Sequence, residues 1–84
     1  MYVVEPVGED VSASIEALPT DLLNAFAELR AALEVSPWTV GRPLVPSNTA
    51  GLRVATIGAS GTGQVVFHVL ERDRVVPIVQ VSFL

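Results

Sequence analysis

The side chains that could do chemistry in this sequence are few: five arginines and one histidine. His68 is the only imidazole, and all five basic residues are arginine. No cysteine is present, which excludes disulfides and thiolate nucleophiles, and one histidine cannot build a zinc site of His and Cys ligands. Anion contacts therefore fall to arginine, and Arg42, on a proline-rich loop, could reach a phosphate. We expect no metal and no cofactor.

The charges are unevenly distributed along the 84 residues, whose formal net charge is −4. Residues 1–35 hold seven acids and one arginine, whereas residues 36–84 hold four arginines and two acids. One interpretation is that the C-terminal part meets an anionic partner. The other is that the acids decorate solvated helix faces.

The composition is that of a small folded protein. Half of the residues are apolar and only 17% are charged, which argues against intrinsic disorder. The length predicts one domain, residues 1–84, with a two-layer core. No apolar run approaches the roughly 20 residues of a membrane span, and no signal peptide is recognisable, so we expect a cytoplasmic protein.

The segment from Gln64 to Leu84 predicts an antiparallel hairpin, because two β-branched and aromatic runs flank the charged break Glu71–Arg74. Alternation places one apolar row on each strand, and joining them on one core face requires an odd-length loop or a bulge near Arg72–Arg74. The predicted core row is Val65, Phe67, Val69, Val75, Pro77, Val79, Val81 and Phe83. The opposite face carries His68, Gln80 and Ser82 and is the expected working face.

The segment before this hairpin predicts a strand, two helices and a further strand. Tyr2–Pro6 is a short edge strand, and an apolar stripe at helical spacing indicates a helix from Gly8 to Leu18. Thr20 is the expected N-cap of a second helix that ends before Pro37, and residues 52–57 alternate as a strand. The fold class is therefore α+β in two layers, with the order β-α-α-β-β-β and the helical hairpin on one face of a mainly antiparallel sheet.

Two loops and one proline carry further expectations. The 16-residue loop from Ser36 to Gly51 is either functional or a stiff crossover that Trp38 pins against the second helix. The glycine-rich turn from Gly58 to Gly63 is a hairpin connection and not a phosphate-binding loop, since a strand follows it where a P-loop needs a helix. We expect the nitrogen of Pro77 to point away from its hairpin partner strand.

The order of elements, together with several short segments, resembles the RelE/ParE superfamily of toxins from bacterial type II toxin–antitoxin pairs. The likeness implies this fold and a cognate antitoxin as partner, docked along the helix pair or added to a sheet edge. The segments that carry it are Tyr2–Val4, Ile15–Pro19, Leu33–Pro37, Leu52–Arg53, Gly61–Val69 and Val75–Phe83.

The resemblance also implies a function, inhibition of translation by ribosome-dependent cleavage of messenger RNA. In that chemistry cations stabilise the developing phosphorane and an acid–base group moves the ribose 2′-OH proton. His68 is the implied acid–base group and Arg53 the implied phosphate clamp. The implied RNA-binding residues are Arg42, Arg72, Arg74, Gln80 and Ser82.

Two alternatives stay open, because positions that are basic or tyrosine in such RNases hold Gln64 and Phe67 here. The chain could be a non-nucleolytic toxin that acts by protein contact, as relatives that poison DNA gyrase do. It could also be an inactive module that only binds an antitoxin.

Overall fold

The computed structural model describes all 84 residues as two helices packed on one face of a five-stranded sheet. The strand order is β1-β5-β4-β3-β2, with β1 parallel to β5 and the other neighbours antiparallel. The α+β class and the helical hairpin are confirmed, whereas β2 was not predicted. The elements are β1 (Val3–Pro6), α1 (Gly8–Glu16), α2 (Thr20–Val35), β2 (Arg42–Pro43), β3 (Arg53–Ile57), β4 (Gly63–Phe67) and β5 (Val75–Phe83).

The core lies between the helix pair and the sheet, and it joins 14 buried residues. On α2 the predicted stripe is confirmed: Leu22, Phe26 and Leu33 are buried and Leu29 is partly buried. Because these positions recur every three to four residues, one face of the helix meets the sheet while the acidic face stays in solvent.

Both helices start or end close to the predicted residues, with one correction at α2. Thr20 is the first residue of the helix and not its N-cap, which is Pro19. No side chain caps that end. Proline fixes its own φ near helical values but has no side-chain acceptor, so the first N–H groups of α2 lack the cap that Thr20 was expected to supply.

Strand β5 contains a bulge that corrects the predicted core row. The antiparallel register advances from Gln80 to Ile78 on β5 while β4 advances by one residue, from Val66 to Phe67, so Val79 is the extra residue. On the N-terminal side of the bulge, the side chains that point into the core are therefore Val76 and Ile78, and not the predicted Val75 and Pro77.

The predicted row is confirmed at Val65, Phe67 and Val69, which are in the core, and it is wrong at four positions of β5. Val75, Pro77 and Val79 are only half-buried, and Phe83 is 43% exposed. Val81 is in the core as predicted. An odd-length loop or a bulge was expected near Arg72–Arg74. The turn enclosed by the Leu70–Val75 bridge has four residues, and the bulge lies further along the strand, at Val79.

Pro77 also departs from its prediction, because its nitrogen faces the hairpin partner. The Pro77 carbonyl accepts a hydrogen bond from the backbone N–H of His68, and a strand residue directs its nitrogen and its carbonyl toward the same neighbouring strand. The missing donor is tolerated because the regular part of β4 has already ended at Phe67.

The segment between α2 and β3 returns the chain to the edge of the sheet, but Trp38 is not its buried anchor. A 3₁₀ turn over Pro37–Thr39 packs against α2, and Pro37 is fully buried while Trp38 is 39% exposed. The chain then passes Gly41 in a left-handed conformation, where a Cβ atom would collide with the carbonyl of Val54. It forms the two-residue strand β2 along the edge of β3. Neither helix is long and apolar enough to cross a membrane.

Truncation of Leu33 tests the helix–sheet core. Leu33 has no exposed surface, so Leu33→Ala leaves a cavity and lowers the free energy of unfolding by about 2–5 kcal/mol. Val35, two residues later on the same helix, is 73% exposed, and Val35→Ala should change stability by less than about 0.5 kcal/mol. Urea denaturation of both variants measures the difference. Equal losses would contradict this assignment of the buried helix face.

Candidate functional site

Strand pairing assigns the sheet side chains to two faces, since paired residues on neighbouring strands point to the same side. One row runs across the whole antiparallel part of the sheet: Arg42 pairs with Val54, Val54 with Val66, and Val66 with Gln80. This row belongs to the face turned away from the helices, which we term the open face. Val54 and Val66 are 1% and 8% exposed, so the row has an apolar centre between a cation and an amide.

A second row of the open face is entirely polar. Thr56 pairs with Gln64, and Gln64 pairs with Ser82. A cavity of about 280 Å³ lies at this row, and Thr62 and Leu84 contribute to its lining. Hydroxyl and amide groups donate and accept hydrogen bonds without changing charge near neutral pH. The cavity can therefore bind polar groups but supplies no side-chain acid or base of its own.

The sequence prediction identified only part of this polar row. Ser82 lies on the open face as expected, while Thr56, Gln64 and the neighbouring Thr62 were missed. Thr56 stands between Ala55 and Ile57, which are both buried against the helices, and this alternation is a signal that assigns it to the open face. Thr62 has no such signal, because it precedes β4 in the glycine-rich turn.

His68 lies just beyond the end of β4, at the opposite end of the open face from the cavity. It alternates with Phe67 and Val69, which are in the core, and its side chain is half-buried. The imidazole Nε2 lies 3.1 Å from the carbonyl oxygen of Ala50, an acceptor, so Nε2 carries the hydrogen in this contact and Nδ1 is left for other partners. His68 is four positions after Gln64 along the chain, about 13 Å in a strand. The imidazole and the polar cavity are therefore separate.

Arg53 is on the helix face of the sheet and not on the open face. It pairs with the core residue Phe67 and is 7% exposed. Its Nη2 donates to the carbonyl oxygens of Trp38, Val40 and Gly41 at 3.0–3.3 Å, and its Nε has no partner.

The guanidinium of Arg53 also lies 5.8 Å from the centroid of the Trp38 ring, within the range of a cation–π contact. This placement supports a structural role, in which the arginine fastens the crossover segment to β3. A role as phosphate clamp stays a prediction.

Arg72 and Arg74 lie in the turn between β4 and β5, far from the polar cavity. Arg74 directly precedes β5, and Ser82 is eight positions further along the chain, roughly 26 Å in extended chain. Arg72 is exposed, whereas Arg74 is engaged: its Nε lies 3.1 Å from a carboxylate oxygen of Glu71, and its guanidinium lies 5.1 Å from the Tyr2 ring centroid.

Glu71 is the centre of a hydrogen-bonded cluster that the sequence did not predict. One carboxylate oxygen accepts hydrogen bonds from the Tyr2 hydroxyl and the Trp38 indole N–H, both at 2.6 Å. These donors lower the pKa of Glu71, the tyrosine first and the tryptophan second, because they stabilise the ionised carboxylate. The same bond raises the pKa of Tyr2 above 10.0, since ionisation would remove the donated hydrogen. The cluster joins the N-terminus, the crossover and the hairpin turn.

The predicted site residues are thus divided among three places. Arg42, Gln80, Ser82 and His68 are on the open face, Arg72 and Arg74 are in the hairpin turn, and Arg53 is buried on the other side of the sheet. The structure does not bring them together as one catalytic group.

Comparison with known proteins identifies structures of the same fold. No protein-family profile and no curated protein sequence matches the chain significantly. Among solved structures, the RelBE2 toxin–antitoxin complex from Mycobacterium tuberculosis is similar over 99% of this chain and 98% of the other, with 25% identity and a TM-score of 0.79.

Two further structures share the fold at lower identity. A mutant of the Escherichia coli toxin RelE in complex with an antitoxin RelB peptide matches over 99% of this chain and 83% of the other, with 14% identity and a TM-score of 0.75. The RelE–RelB complex from the archaeon Pyrococcus horikoshii matches over 98% and 93%, with 20% identity and a TM-score of 0.67.

Replacement of Glu71 by glutamine tests the cluster through its pH dependence. The pKa of Glu71 is lowered from 4.5 in the folded chain, so the stability that it contributes is present above that value and is lost as the pH falls through the folded-state pKa. Glu71→Gln should therefore lower the melting temperature at pH 7 and approach the wild type in acid.

Asp73→Asn provides the matched control, because Asp73 is in the same turn and makes none of these bonds. Thermal unfolding between pH 7 and pH 3 measures both variants. A deficit of Glu71→Gln that stays constant over this range would refute the role of the carboxylate charge.

Proposed function

We propose that this chain, which has the fold of the RelE superfamily, is the toxin of a type II toxin–antitoxin pair. The observation that carries the proposal is the likeness to the Mycobacterium tuberculosis complex, which extends over nearly the full length of both chains at 25% identity. Its partner in the cell is then a cognate antitoxin protein. The similar structures from Escherichia coli and Pyrococcus horikoshii are also complexes of a toxin or RelE chain with RelB.

The target that we propose is translation, which places the protein in the cytoplasm. The open face is the surface that would meet messenger RNA on the ribosome, because it combines an exposed cation with hydrogen-bonding side chains. Arg42 could contact a phosphate, and Gln64 and Ser82 could hydrogen-bond to sugar or base. The helix face cannot serve in this way because the helix pair covers it.

Cleavage of the RNA would need an acid–base group, and His68 is the side chain on the open face that can supply one. Its Nε2 is held by Ala50, which fixes the ring and leaves Nδ1 to exchange a proton. Arg42 is on β2 and His68 follows β4, so the guanidinium could approach a phosphate whose neighbouring 2′-OH lies near the imidazole. In this arrangement Arg42, and not Arg53, is the phosphate contact.

A second candidate function is a toxin that acts by protein contact without cleaving RNA. The polar row of Thr56, Gln64 and Ser82 favours it, because no titratable side chain is among these residues or the neighbouring Thr62. Neutral hydrogen-bonding groups of this kind are typical of the polar part of a protein interface. DNA gyrase would be one target of this class.

Induced expression tests the toxin proposal itself. Expression of the chain alone should arrest growth, and co-expression of the protein encoded by the adjoining open reading frame should restore it. Colony counts after induction measure both effects, with an empty vector as control. Undisturbed growth at a level of folded protein verified in the lysate would contradict the proposal.

Programmed ribosomes separate cleavage from protein contact. If His68 is the acid–base group, the wild type cuts messenger RNA and His68→Ala cuts it about 10²–10⁴-fold more slowly, the usual contribution of such a group. Arg42→Ala should also be slow, whereas Arg72→Ala, which removes an exposed arginine from the distant turn, should cut at the wild-type rate. Intact messenger RNA beside an arrested culture would favour the contact toxin.

A further inference from the structure

A row of side chains crosses the open face at the end of the sheet near the hairpin turn. The Leu44 N–H donates to the Leu52 carbonyl, which extends the pairing of β2 with β3 by one residue. The His68 N–H donates to the Pro77 carbonyl, which extends the pairing of β4 with β5 in the same way. This turn-end row has one residue from each of the five strands or its immediate extension: Glu5, Pro77, His68, Leu52 and Leu44.

The leucines of the turn-end row and the residues beside it form an exposed apolar surface. Leu44 and Leu52 are 45% and 38% exposed. Nearer the hairpin turn, Val75 pairs with both Val3 and Leu70, which are 57% and 37% exposed. Each of these last three residues is next to a core residue in the chain, so alternation assigns it to the open face. A continuous apolar surface of this kind marks a contact with another molecule.

The two ends of the turn-end row differ in charge. Glu5 is exposed at the β1 end. Arg42 is exposed at the β2 end, two residues before Leu44 and on the same face. A two-fold axis parallel to the strands turns two copies of this face toward each other and reverses the row. Glu5 of each copy then meets the Arg42 end of the other, so the surface is complementary to itself in charge.

The area of this surface determines how strong such a contact can be. Five strands about 4.8 Å apart make it roughly 24 Å wide, and the three side-chain rows from Val3 to Arg42 make it roughly 20 Å long. Each copy therefore contributes about 480 Å², and the two together about 1,000 Å², the lower limit for a specific contact. The expected complex is a dimer that dissociates on dilution.

We propose that the open face binds the open face of a second copy of this chain, as a two-fold symmetric dimer. The apolar side chains pack at its centre, and Glu5 of each copy pairs with Arg42 of the other. The inference does not depend on the proposed function. His68 is the middle residue of the turn-end row, so it lies beside the two-fold axis and the dimer covers it. Only the monomer then presents the open face to a different molecule.

Charge exchange between the two ends tests the symmetry of the dimer by sedimentation velocity over a range of protein concentrations. Glu5→Arg and Arg42→Glu should each raise the dissociation constant about tenfold, because each brings like charges together at both ends of the interface. Net charge alone predicts the opposite for Glu5→Arg, which reduces the negative charge of the chain. The double variant Glu5→Arg/Arg42→Glu should dimerise like the wild type. Two weakened single variants without this restoration would overturn the two-fold arrangement.

A buried charge tests the apolar centre. Leu52→Asp should stay monomeric at concentrations where the wild type dimerises, because the dimer would bury its carboxylate without a partner. Leu23→Asp is the matched control: it makes the same change at a residue of α2 that is 40% exposed on the helix side, and it should dimerise like the wild type. Circular dichroism and the melting temperature verify that each variant is folded.

The imidazole of His68 reports on the interface directly, since it is the only histidine in the chain. Its NMR signals should shift with protein concentration in the wild type and in Leu23→Asp, and stay constant in Leu52→Asp. A wild type that is monomeric at every concentration would overturn the proposal, as would a dimer that Leu52→Asp leaves intact. Loss of growth arrest in Leu52→Asp beside a monomeric wild type would assign the open face to a different partner.

Discussion

The bulge at Val79 determines which side chains of β5 reach the helices, and both faces of the sheet depend on it. Before the bulge Val76 and Ile78 point into the core, and strict alternation would continue with Gln80. The extra residue shifts the phase by one position, so Val81 enters the core and Gln80 turns to the open face. One irregularity thus keeps an amide out of the core and supplies the open face with its polar residues at this strand.

The sequence predicts the elements of this fold better than it predicts their register. The stripe of Leu22, Phe26 and Leu33 has one helical interpretation, so α2 was predicted almost to the residue. In β5 the run from Val75 to Val79 is apolar at every position. The pattern therefore does not show whether the odd-numbered or the even-numbered residues of this run face the core. The position of the bulge is set by packing against β4 and the helices, which a local pattern does not encode. The two-residue strand β2 is too short to give any periodic signal.

The candidate site was predictable only where the neighbouring residues leave no doubt about which side chains face the core. His68, Gln80 and Ser82 alternate with residues that are apolar without ambiguity, and the structure places all three on the open face. Arg53 is two residues before Ala55 and four before Ile57, so alternation along β3 indicates that it faces the helices. Its charge led to the opposite prediction. The cluster around Glu71 joins residues from three distant segments, so no spacing in the sequence could reveal it.

The use of the arginines limits what this surface can do with RNA. Arg53 binds three carbonyls, Arg30 binds the edge of β1, and Arg74 pairs with Glu71, so three of the five cations serve the fold. Arg42 and Arg72 make no such bonds, and only Arg42 is on the open face. Electrostatic affinity for single-stranded RNA rises with each phosphate that a protein neutralises, and one cation supplies little of it. A messenger RNA substrate would therefore have to be held in place by the ribosome, whereas a target bound through neutral side chains would need no such help.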